Sequence, residues 1–349
     1  MHKIGRREFM AHAAGAFVGL GTARLWAWRF PAPPIAPQRS WPKVVVSAGT
    51  NDDSPAALLK AAIDELGGIG RFVRPGHTVA IKPNAAWAYP PGTASSTDPG
   101  LLGALILMVR EAGARRIIVT DHCAIDPGTE ACLSVSGIGE VVDRLFVEKV
   151  FPDRAFAPKE VFTTIDLPMG RAFQRIGVIR AAAAADVRIN LAVAKSHVGT
   201  RCTMCLKNMM GFLESPSRLH DSLEQGIADI NSPSRIQAQL HILEAIRVRL
   251  PIGRSRAGGT ETETTHPEKI KRLNQIVAGT DPVLIDGFGS LNYFSIKPRE
   301  LAFIKKASDD KLGEHDAAAA LLEGRLRVVL PIRAQLKGPS SKNQETRGC

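Results

Sequence analysis

The feature that most constrains the fold is a regular alternation of apolar, β-branched runs with segments of helical spacing. Runs typical of buried strands lie at 43–48, 77–84, 115–122 and 185–197, and helix-like segments follow the first three. Strands alternating with helices of ten to fifteen residues are typical of βαβ units. The alternation therefore predicts an α/β fold with a mostly parallel sheet, helices on both faces, and one or two lobes.

Helix and strand signals fill most of the chain beyond residue 42. Serine or aspartate followed by proline is typical of a helix start, and it occurs at Ser54, Asp98 and Asp281. The predicted helices are 54–68, 98–114, 137–149, 215–230, 281–294 and 298–310, and two further strands are predicted at 239–248 and 326–330. No glycine-rich dinucleotide fingerprint or P-loop is present in the sequence, which disfavours a Rossmann dehydrogenase and a P-loop enzyme.

The amino terminus has the features of an export signal. Arg6 and Arg7 are followed by Glu8, Phe9 and a short apolar stretch, which resembles a twin-arginine signal. We expect the twin-arginine machinery to export the protein, to the periplasm if the source has an outer membrane, with no stable membrane span after signal removal. The predicted divisions are a signal peptide (1–27), a proline-rich linker (28–42), an α/β domain (43–335) and a polar tail (336–349).

Composition narrows the class of partner. The formal net charge is +11, but the basic residues are scattered, and aromatic residues make up 5% of the chain. Nucleic-acid binding needs a basic stripe or aromatic stacking platforms, so no nucleic-acid partner is expected. The five cysteines are too few for a disulfide scaffold in a chain of 349 residues. Attraction to small anions is the remaining expectation.

Polar side chains follow three of the predicted strands. Lys82 and Asn84 follow one strand, Asp121 and His122 a second, and the strand at 185–194 leads into Lys195. Ligands of open parallel sheets bind beyond the carboxyl ends of the strands, so these side chains are expected to share one pocket. The predicted catalytic residues are Asp121, His122, His197 and Lys207, and the predicted ligand-binding residues are Lys82, Asn84, Lys195, Asn208 and Asp281.

The segment 195–208 has the densest set of reactive side chains. Lys195 and Lys207 suit a small anion, and His197 suits proton transfer or metal binding. Cys202 and Cys205 form a lone C-x-x-C. With His197 they would give three ligands to one metal ion, but a disulfide or redox pair and two inert thiols remain as alternatives. Asp281 is also explained as a helix cap.

Several blocks carry a resemblance to a known family. "VAIKPN", "INLAVAKSHVGTRCTMCLKNMMGF", "HILEAIRV" and "IVAGTDPVLIDGFG" occur in the order typical of the domain-of-unknown-function family DUF362. Many members carry a twin-arginine signal, and no activity is established for the family. Some members have ferredoxin-like cysteine clusters, but this sequence has no such motif, so no iron–sulfur cluster is implied.

A more distant resemblance is to the nickel-pincer lactate racemase family. In that family a strand leads to a histidine and then to a lysine that joins a cofactor. The resemblance would give Lys207 that place, with His122 or His197 as acid–base groups.

Three classes of function fit these residues. The first is an exported enzyme that acts on a small anion through acid–base or metal-assisted chemistry. The second is an anion- or cofactor-binding protein without turnover, in which the histidines are dispensable. The third is a thiol redox protein that uses Cys202 and Cys205.

Overall fold

The structure, a computed structural model, describes most of the predicted α/β domain: residues 40–123, 128–153, 157–251 and 267–331. The predicted signal peptide, the linker as far as residue 39 and the tail at 336–349 lie outside these residues. The described residues from Trp41 onward belong to one compact unit. No helix among them is long and apolar enough to cross a bilayer.

Most of the strands belong to one large sheet. The strands of the described residues are β1 (Val44–Ala48), β2 (Thr78–Lys82), β3 (Arg116–Thr120), β4 (Glu148–Val150), β5 (Phe162–Asp166), β6 (Arg175–Ile179), β7 (Val187–His197), β8 (Arg201–Thr203), β9 (Leu240–Arg249), β10 (Ile270–Gly279) and β11 (Leu326–Val329). The order in the large sheet is β11-β1-β10-β9-β7-β2-β3-β4, with β8 beside β7. β5 and β6 form a separate antiparallel pair.

The helices connect and cover these strands. They are α1 (Pro55–Glu65), α2 (Pro99–Glu111), α3 (Thr129–Ser136), α4 (Ile138–Arg144), α5 (Arg180–Ala184), α6 (Cys205–Asn208), α7 (Leu223–Ile230), α8 (Pro282–Phe294), α9 (Ala302–Asp309) and α10 (Ala317–Leu322). Ser54, Asp98 and Asp281 cap α1, α2 and α8 by accepting hydrogen bonds from backbone N–H groups of the first turn. Proline follows each cap, as the sequence predicted.

Strand direction decides which residues meet. β2, β3, β4, β7 and β9 pair in parallel, and β11 pairs in parallel with β1. β10 is antiparallel to both β1 and β9, so it runs against the other long strands. The carboxyl ends of β2, β3 and β7 therefore share one edge of the sheet, and the carboxyl end of β10 lies at the opposite edge.

The core has two apolar layers, one on each face of the sheet. Successive residues of β1 alternate between them: Val44 and Val46 pack with α8, whereas Val45 packs with α1 and α2. This alternation follows from the two-residue period of a strand. Because both faces are covered, β2 and most of β7 are buried along their lengths. The predicted mostly parallel α/β fold with helices on both faces is confirmed.

Two helix boundaries differ from the sequence predictions, and the strands β5, β6, β8 and β10 were not predicted. The helix predicted over 137–149 ends at Arg144, and β4 occupies its last part. The helix predicted over 215–230 begins as a 3₁₀ turn, and its α-helical part starts at Leu223. β10 was not predicted as a strand, because a bulge interrupts its pairing between Arg272 and Gln275 and polar residues obscure its alternation.

Candidate functional site

A cavity of about 360 Å³ lies at the edge where β2, β3 and β7 end. The side chains that follow these strands converge on it, as parallel strands require. Its lining includes eight of the nine predicted catalytic and ligand-binding residues: Lys82, Asn84, Asp121, His122, Lys195, His197, Lys207 and Asn208. The structure therefore brings these residues together, while their catalytic and binding roles stay predictions.

A buried ion pair forms the floor of the cavity. Lys82 Nζ lies 2.7 Å from Asp121 Oδ1, and the side chains are 1% and 2% exposed. Asp121 also accepts hydrogen bonds from the backbone N–H groups of Ala85 and His122. Burial lowers the pKa of Lys82, and the neighbouring Asp121 carboxylate opposes that shift. The Asp121 carboxylate is thus shared between Lys82 and two backbone N–H groups.

Lys195, the second lysine of the cavity, is hydrogen-bonded to a chain of buried asparagine side chains. Lys195 Nζ donates to Asn84 Oδ1 at 3.0 Å and to the carbonyl oxygen of Ser95. Asn84 Nδ2 donates to Asn208 Oδ1 at 2.8 Å, and Asn208 Nδ2 donates to Asn190 Oδ1 at 2.7 Å. These bonds join β2, β7 and α6, and they fix the direction of Lys195. Satisfied buried polar networks of this kind hold side chains in a single arrangement.

The pKa of Lys195 is lowered well below its ordinary value. Burial is the largest cause, and the positive charges of Arg249 and Lys207 add to it. The Asp121 carboxylate opposes the shift. An anion beside Lys195 would act in the same direction as Asp121, because an opposite charge favours the protonated amine.

The hydrogen bonds of His197 indicate which of its nitrogens carries the proton and faces Lys207. His197 Nδ1 accepts from the backbone N–H groups of Gly199 and Thr200 at 3.1 and 3.2 Å, so this nitrogen carries no proton. In the neutral imidazole the proton is then on Nε2, which lies 3.2 Å from Lys207 Nζ. Lys207 can accept this bond only as an uncharged amine, the form that prevails above its pKa.

Burial lowers the pKa of both Lys207 and His197. It is the largest cause that lowers the pKa of Lys207 to about 8 and the pKa of His197 to about 3. The positive charges of Lys207 and Lys195 lower the His197 pKa further. At neutral pH, His197 is therefore uncharged, and Lys207 changes protonation within about one pH unit of neutrality.

His122 presents an unsatisfied nitrogen. Its Nδ1 lies 2.9 Å from the carbonyl oxygen of Leu213, so Nδ1 carries the proton and Nε2 has a free lone pair. His122 Nε2 and Thr203 Oγ1 are buried and have no hydrogen-bond partner among the described residues. Both residues line the cavity. Buried polar atoms without partners are rare in native structures, and a ligand in the cavity would satisfy both.

Asp286 positions the helix that carries Lys207 and Asn208. Its two carboxylate oxygens accept hydrogen bonds from the backbone N–H groups of Cys205 and Leu206 at 2.8 and 2.9 Å. These N–H groups begin α6 and have no partner within the helix. Asp286 therefore fixes the start of α6 and, through it, the direction in which Lys207 enters the cavity.

Gly211 permits close packing against the ion pair. A β-carbon at this position would lie 2.5 Å from Lys82 Cε and 2.6 Å from Lys82 Nζ. A side chain there would displace the ion pair, so this part of the cavity wall requires glycine. The glycine four residues after Lys207 thus has a steric reason.

Asp281 lies apart from the cavity, which corrects its predicted place among the ligand-binding residues. It follows β10, whose carboxyl end is at the opposite edge of the sheet because β10 is antiparallel. Its Oδ1 caps α8 by accepting from Leu284 N at 2.9 Å, and its Oδ2 lies 3.9 Å from Lys43 Nζ. The capping interpretation accounts for Asp281.

The predicted metal set is not assembled. Thr203 faces the cavity, whereas its neighbour Cys202 points to the apolar core, where Cys205 is also buried. Within the described ranges, no group of three or more His, Cys, Asp or Glu side chains is placed to hold one metal ion. His197 is directed at Lys207 instead of the two thiols.

Burial also disfavours thiol chemistry at Cys202 and Cys205. Both side chains are fully buried, and burial is the largest cause that raises the pKa of each thiol. The negative charge of Asp286 raises both values further. Thiolates are the reactive form, so these two cysteines have the environment of structural residues.

Sequence reasoning left open whether Asp286 faces the site or solvent, and it missed Thr203 and Trp87. Asp286 contacts α6 across about 80 residues of chain, which no local pattern reveals. Thr203 follows the turn of the β7–β8 hairpin, whose register places it opposite Lys195. Trp87 lines the cavity from the loop after β2. Of these residues, only Thr203 could have been found from the sequence. Successive residues of a strand point to opposite faces, so Thr203 and Cys202 would have been placed on different faces of β8.

A relative and two solved structures are similar to parts of this chain. A thylakoid-associated protein, sll1697, of Synechocystis sp. (strain PCC 6803) is 28% identical over 181 residues, which are 49% of this chain and 50% of that protein. The chain thus matches about half the length of this relative.

Two solved structures align with much of the fold. The lactate racemase apoprotein from Thermoanaerobacterium thermosaccharolyticum has a TM-score of 0.40 at 12% identity, over 76% of this chain and 56% of that one. A protein from Thermotoga maritima has a TM-score of 0.31 at 12% identity, over 73% and 60%. TM-scores this low carry no argument about function.

The family match covers the cavity and the strands that build it. Residues 79–290 match the family described as a domain of unknown function, DUF362. This span is more than half of the 349 residues, and it includes the cavity residues from Lys82 to Gly211. The resemblance noted in the sequence is therefore confirmed, and the chain belongs to the DUF362 family.

Proposed function

We propose that the cavity binds a small anionic molecule, a carboxylate or a phosphate, and that His122 exchanges a proton with it. The observation that carries the proposal is the charge of the lining, which has three lysines and one carboxylate. Asp121 is paired with Lys82. Lys195 and Lys207 therefore remain available to an anion, and pockets of this volume suit small molecules.

Lys195 and Lys207 have different tasks in this proposal. Lys195 is held by Asn84 and Ser95, so it offers a donor of fixed direction. Above its pKa of about 8, Lys207 accepts a hydrogen bond from His197, and it becomes an ammonium group when an anion raises this pKa. Above pH 8, binding of the anion is thus coupled to uptake of a proton at Lys207.

His122 provides the acid–base function. Its free Nε2 lone pair accepts a proton from the ligand, and the Leu213 carbonyl oxygen accepts the Nδ1–H bond and stabilises the resulting imidazolium. The Phe162 ring stacks against His122 at a centroid distance of 6.4 Å, which restrains the imidazole. Proton transfer at a carbon or oxygen atom beside the anionic group is the chemistry that this arrangement supports.

The proposal is tested by calorimetry with a panel of small anions at pH 7. Phosphate, sulfate, pyruvate and malonate are compared with uncharged amides of the two carboxylates. We expect saturable binding of at least one anion and none of the amides. Binding that is equal for the acids and their amides, or absent throughout, would contradict the proposal.

Acid–base chemistry is tested separately from binding. Pyruvate or malonate, if it binds, is incubated in deuterated water, and exchange of the pyruvate methyl or malonate methylene protons is followed by NMR. We expect exchange with the unaltered protein and its loss in His122→Gln, which keeps a polar side chain of similar size. Binding without exchange would leave an anion-binding protein that does not turn its ligand over.

We also propose that the protein is exported in folded form through the twin-arginine pathway. The Arg6–Arg7 pair and the apolar stretch that follows support this proposal. Replacement of both arginines by lysine should leave the protein in the cytoplasmic fraction. Unchanged export of the double variant would contradict it.

A further inference from the structure

The lining of the cavity changes in character from its buried part to its accessible part. The lysines, the asparagines and His122 belong to the buried part, where Lys195 is 3% exposed and His122 is 4% exposed. The rest of the lining is more apolar and, apart from one buried methionine, more accessible to solvent. It consists of Ala86, Trp87, Met210, Pro216, Ser217 and His220. A ligand held by its anionic group at the lysines would therefore extend past apolar side chains towards solvent.

The volume of the cavity exceeds what a small anion needs. A water molecule takes about 30 Å³ of liquid volume, so a cavity of about 360 Å³ has room for about twelve water molecules. Phosphate, pyruvate or malonate at the lysines would leave the space beside Trp87 to water. Apolar surface contributes to affinity only when a ligand removes it from water, so a larger ligand with an apolar part fits this lining better.

Trp87 is held beside this space by the loop that follows β2. Two hydrogen bonds close the base of the loop, since Asn84 N donates to Thr97 Oγ1 at 2.8 Å and Thr97 N donates to the carbonyl oxygen of Asn84 at 2.9 Å. Ser96 Oγ donates to the carbonyl oxygen of Trp87 at 3.3 Å. The Tyr89 ring lies 6.3 Å from the Trp87 ring between centroids. The indole is thus restrained at the cavity by contacts of its own loop.

We infer that the ligand is an aromatic anion, an aryl-substituted carboxylate or phosphate, and that Trp87 selects it by packing against its ring. This inference rests on the proposed binding of an anion by Lys195 and Lys207. Aromatic pairs in offset or edge-to-face geometry gain affinity beyond the burial of their area, so an indole favours a ring over an aliphatic group. Trp87 acts here on specificity, because it contacts the ring and not the reacting atoms.

A cationic ligand group is the other partner that an indole face attracts. The lining has three lysines and one carboxylate, and that carboxylate is paired with Lys82. A cation beside Trp87 would therefore enter a cavity of its own charge. The charge of the lining favours a neutral ring at Trp87 with the anionic group at the lysines.

Calorimetry with matched pairs of anions tests the inference. Phosphate is compared with phenyl phosphate, malonate with benzylmalonate, and pyruvate with phenylpyruvate. For each simple anion that binds, we expect its aryl counterpart to bind at least about tenfold tighter. (Cyclohexylmethyl)malonate has a ring of similar size without π-electrons, and it should gain less over malonate than benzylmalonate does.

Variants locate the gain at Trp87. Trp87→Ala should reduce the affinity ratio within a pair to about twofold or less, and Trp87→Phe should restore most of the ratio. The ratio is the readout because damage to the fold or to the lysine end would weaken both members of a pair. Trp41→Phe is the matched control, since Trp41 packs against Gly67 after α1 and lies outside the cavity lining.

Tryptophan fluorescence gives a second readout. The change on adding the aryl anion should disappear in Trp87→Phe and persist in Trp41→Phe. Equal affinity for simple and aryl anions, an equal gain from the cyclohexyl ring, or an undiminished ratio in Trp87→Ala would overturn the inference and leave the proposed anion binding intact. If neither simple nor aryl anions bind, the proposed function itself fails, and this inference fails with it.

Discussion

Two buried aspartates follow strands at opposite edges of the large sheet, and their surroundings differ. Asp121 follows β3 and forms an ion pair with Lys82, in a cavity lined by two further lysines and three histidines. Asp281 follows β10, caps α8 and lies beside Lys43, whose side chain is half exposed. The same residue type after an apolar strand thus belongs to a candidate site in one case and to a helix start in the other.

Strand direction explains the difference. β3 is parallel to its neighbours, so its carboxyl end meets those of β2 and β7, while β10 is antiparallel and ends at the other edge. Parallel strand ends gather polar groups from separate parts of the chain in one place. A single reversed strand separates its terminal residues from that cluster.

The largest expected effect is on stability, and it distinguishes the two aspartates. Asp121→Ala should lower the free energy of unfolding by about 3–5 kcal/mol, because it leaves the Lys82 ammonium group buried without its partner. Asp281→Ala removes a helix cap and should lower it by about 0.5–2 kcal/mol. Urea unfolding of both variants measures the contrast, and equal losses would contradict it.

The next effect concerns the packing against the ion pair. Gly211→Ala should lower the free energy of unfolding by about 1–3 kcal/mol, because the new β-carbon meets Lys82 and Asp121. Gly70→Ala is the matched control, since a β-carbon there meets no atom within 4 Å. Urea unfolding is again the measurement. If Gly211→Ala matched the control in stability, the cavity wall would not be as close-packed as described.

A pH dependence of anion binding is expected at the edge with the cavity. The pKa of Lys207 is about 8, and a bound anion raises it. Below pH 8, Lys207 is protonated both before and after binding, so affinity does not vary with pH on its account. Above pH 8, binding requires uptake of a proton, and affinity should fall by up to about tenfold per pH unit.

Calorimetry in buffers of different ionisation enthalpy measures this linkage, using phosphate or the carboxylate that binds best in the panel. Proton uptake should approach one per anion at pH 9 and should be smaller at pH 7. Lys207→Met should remove this uptake. Uptake that persists in Lys207→Met would assign the proton to another group, with Lys195 the first alternative.

The smallest expected effect concerns a hydroxyl group in the cavity. Thr203→Val should weaken anion binding by about 0.5–1.5 kcal/mol and leave stability unchanged or higher, because Thr203 Oγ1 has no hydrogen-bond partner among the described residues. Thr120→Val should lower stability and leave anion binding unchanged, since Thr120 Oγ1 donates to the carbonyl oxygen of Val150 at 2.6 Å. Calorimetry measures anion binding and urea unfolding measures stability in both variants.

The sequence predicted which side chains converge when they follow parallel strands, because a general rule for such sheets applies to them. Lys82, Asp121 and Lys195 each follow an apolar run, and the pairing of β3, β2 and β7 brings them together. Asp281 follows an apolar run as well, but nothing local shows that β10 is reversed. A periodic pattern gives the position of a strand without its direction, so the same rule failed there.

Contacts that span the chain could not be predicted in this way. Asp286 fixes α6 from the first turns of α8, and Asn190 joins α6 to β9 through His241. Both depend on packing that only the folded chain defines.

The most direct measurement is the affinity of one small anion for Lys195→Met and Asp281→Ala, compared with the unaltered protein at pH 7. Calorimetry with the best-binding anion of the panel gives all three dissociation constants. The account predicts at least about a tenfold weaker affinity in Lys195→Met, because a charge-assisted hydrogen bond is lost, and an unchanged affinity in Asp281→Ala. Equal affinity in Lys195→Met and the unaltered protein, or a loss confined to Asp281→Ala, would contradict the assignment of the anion to the cavity.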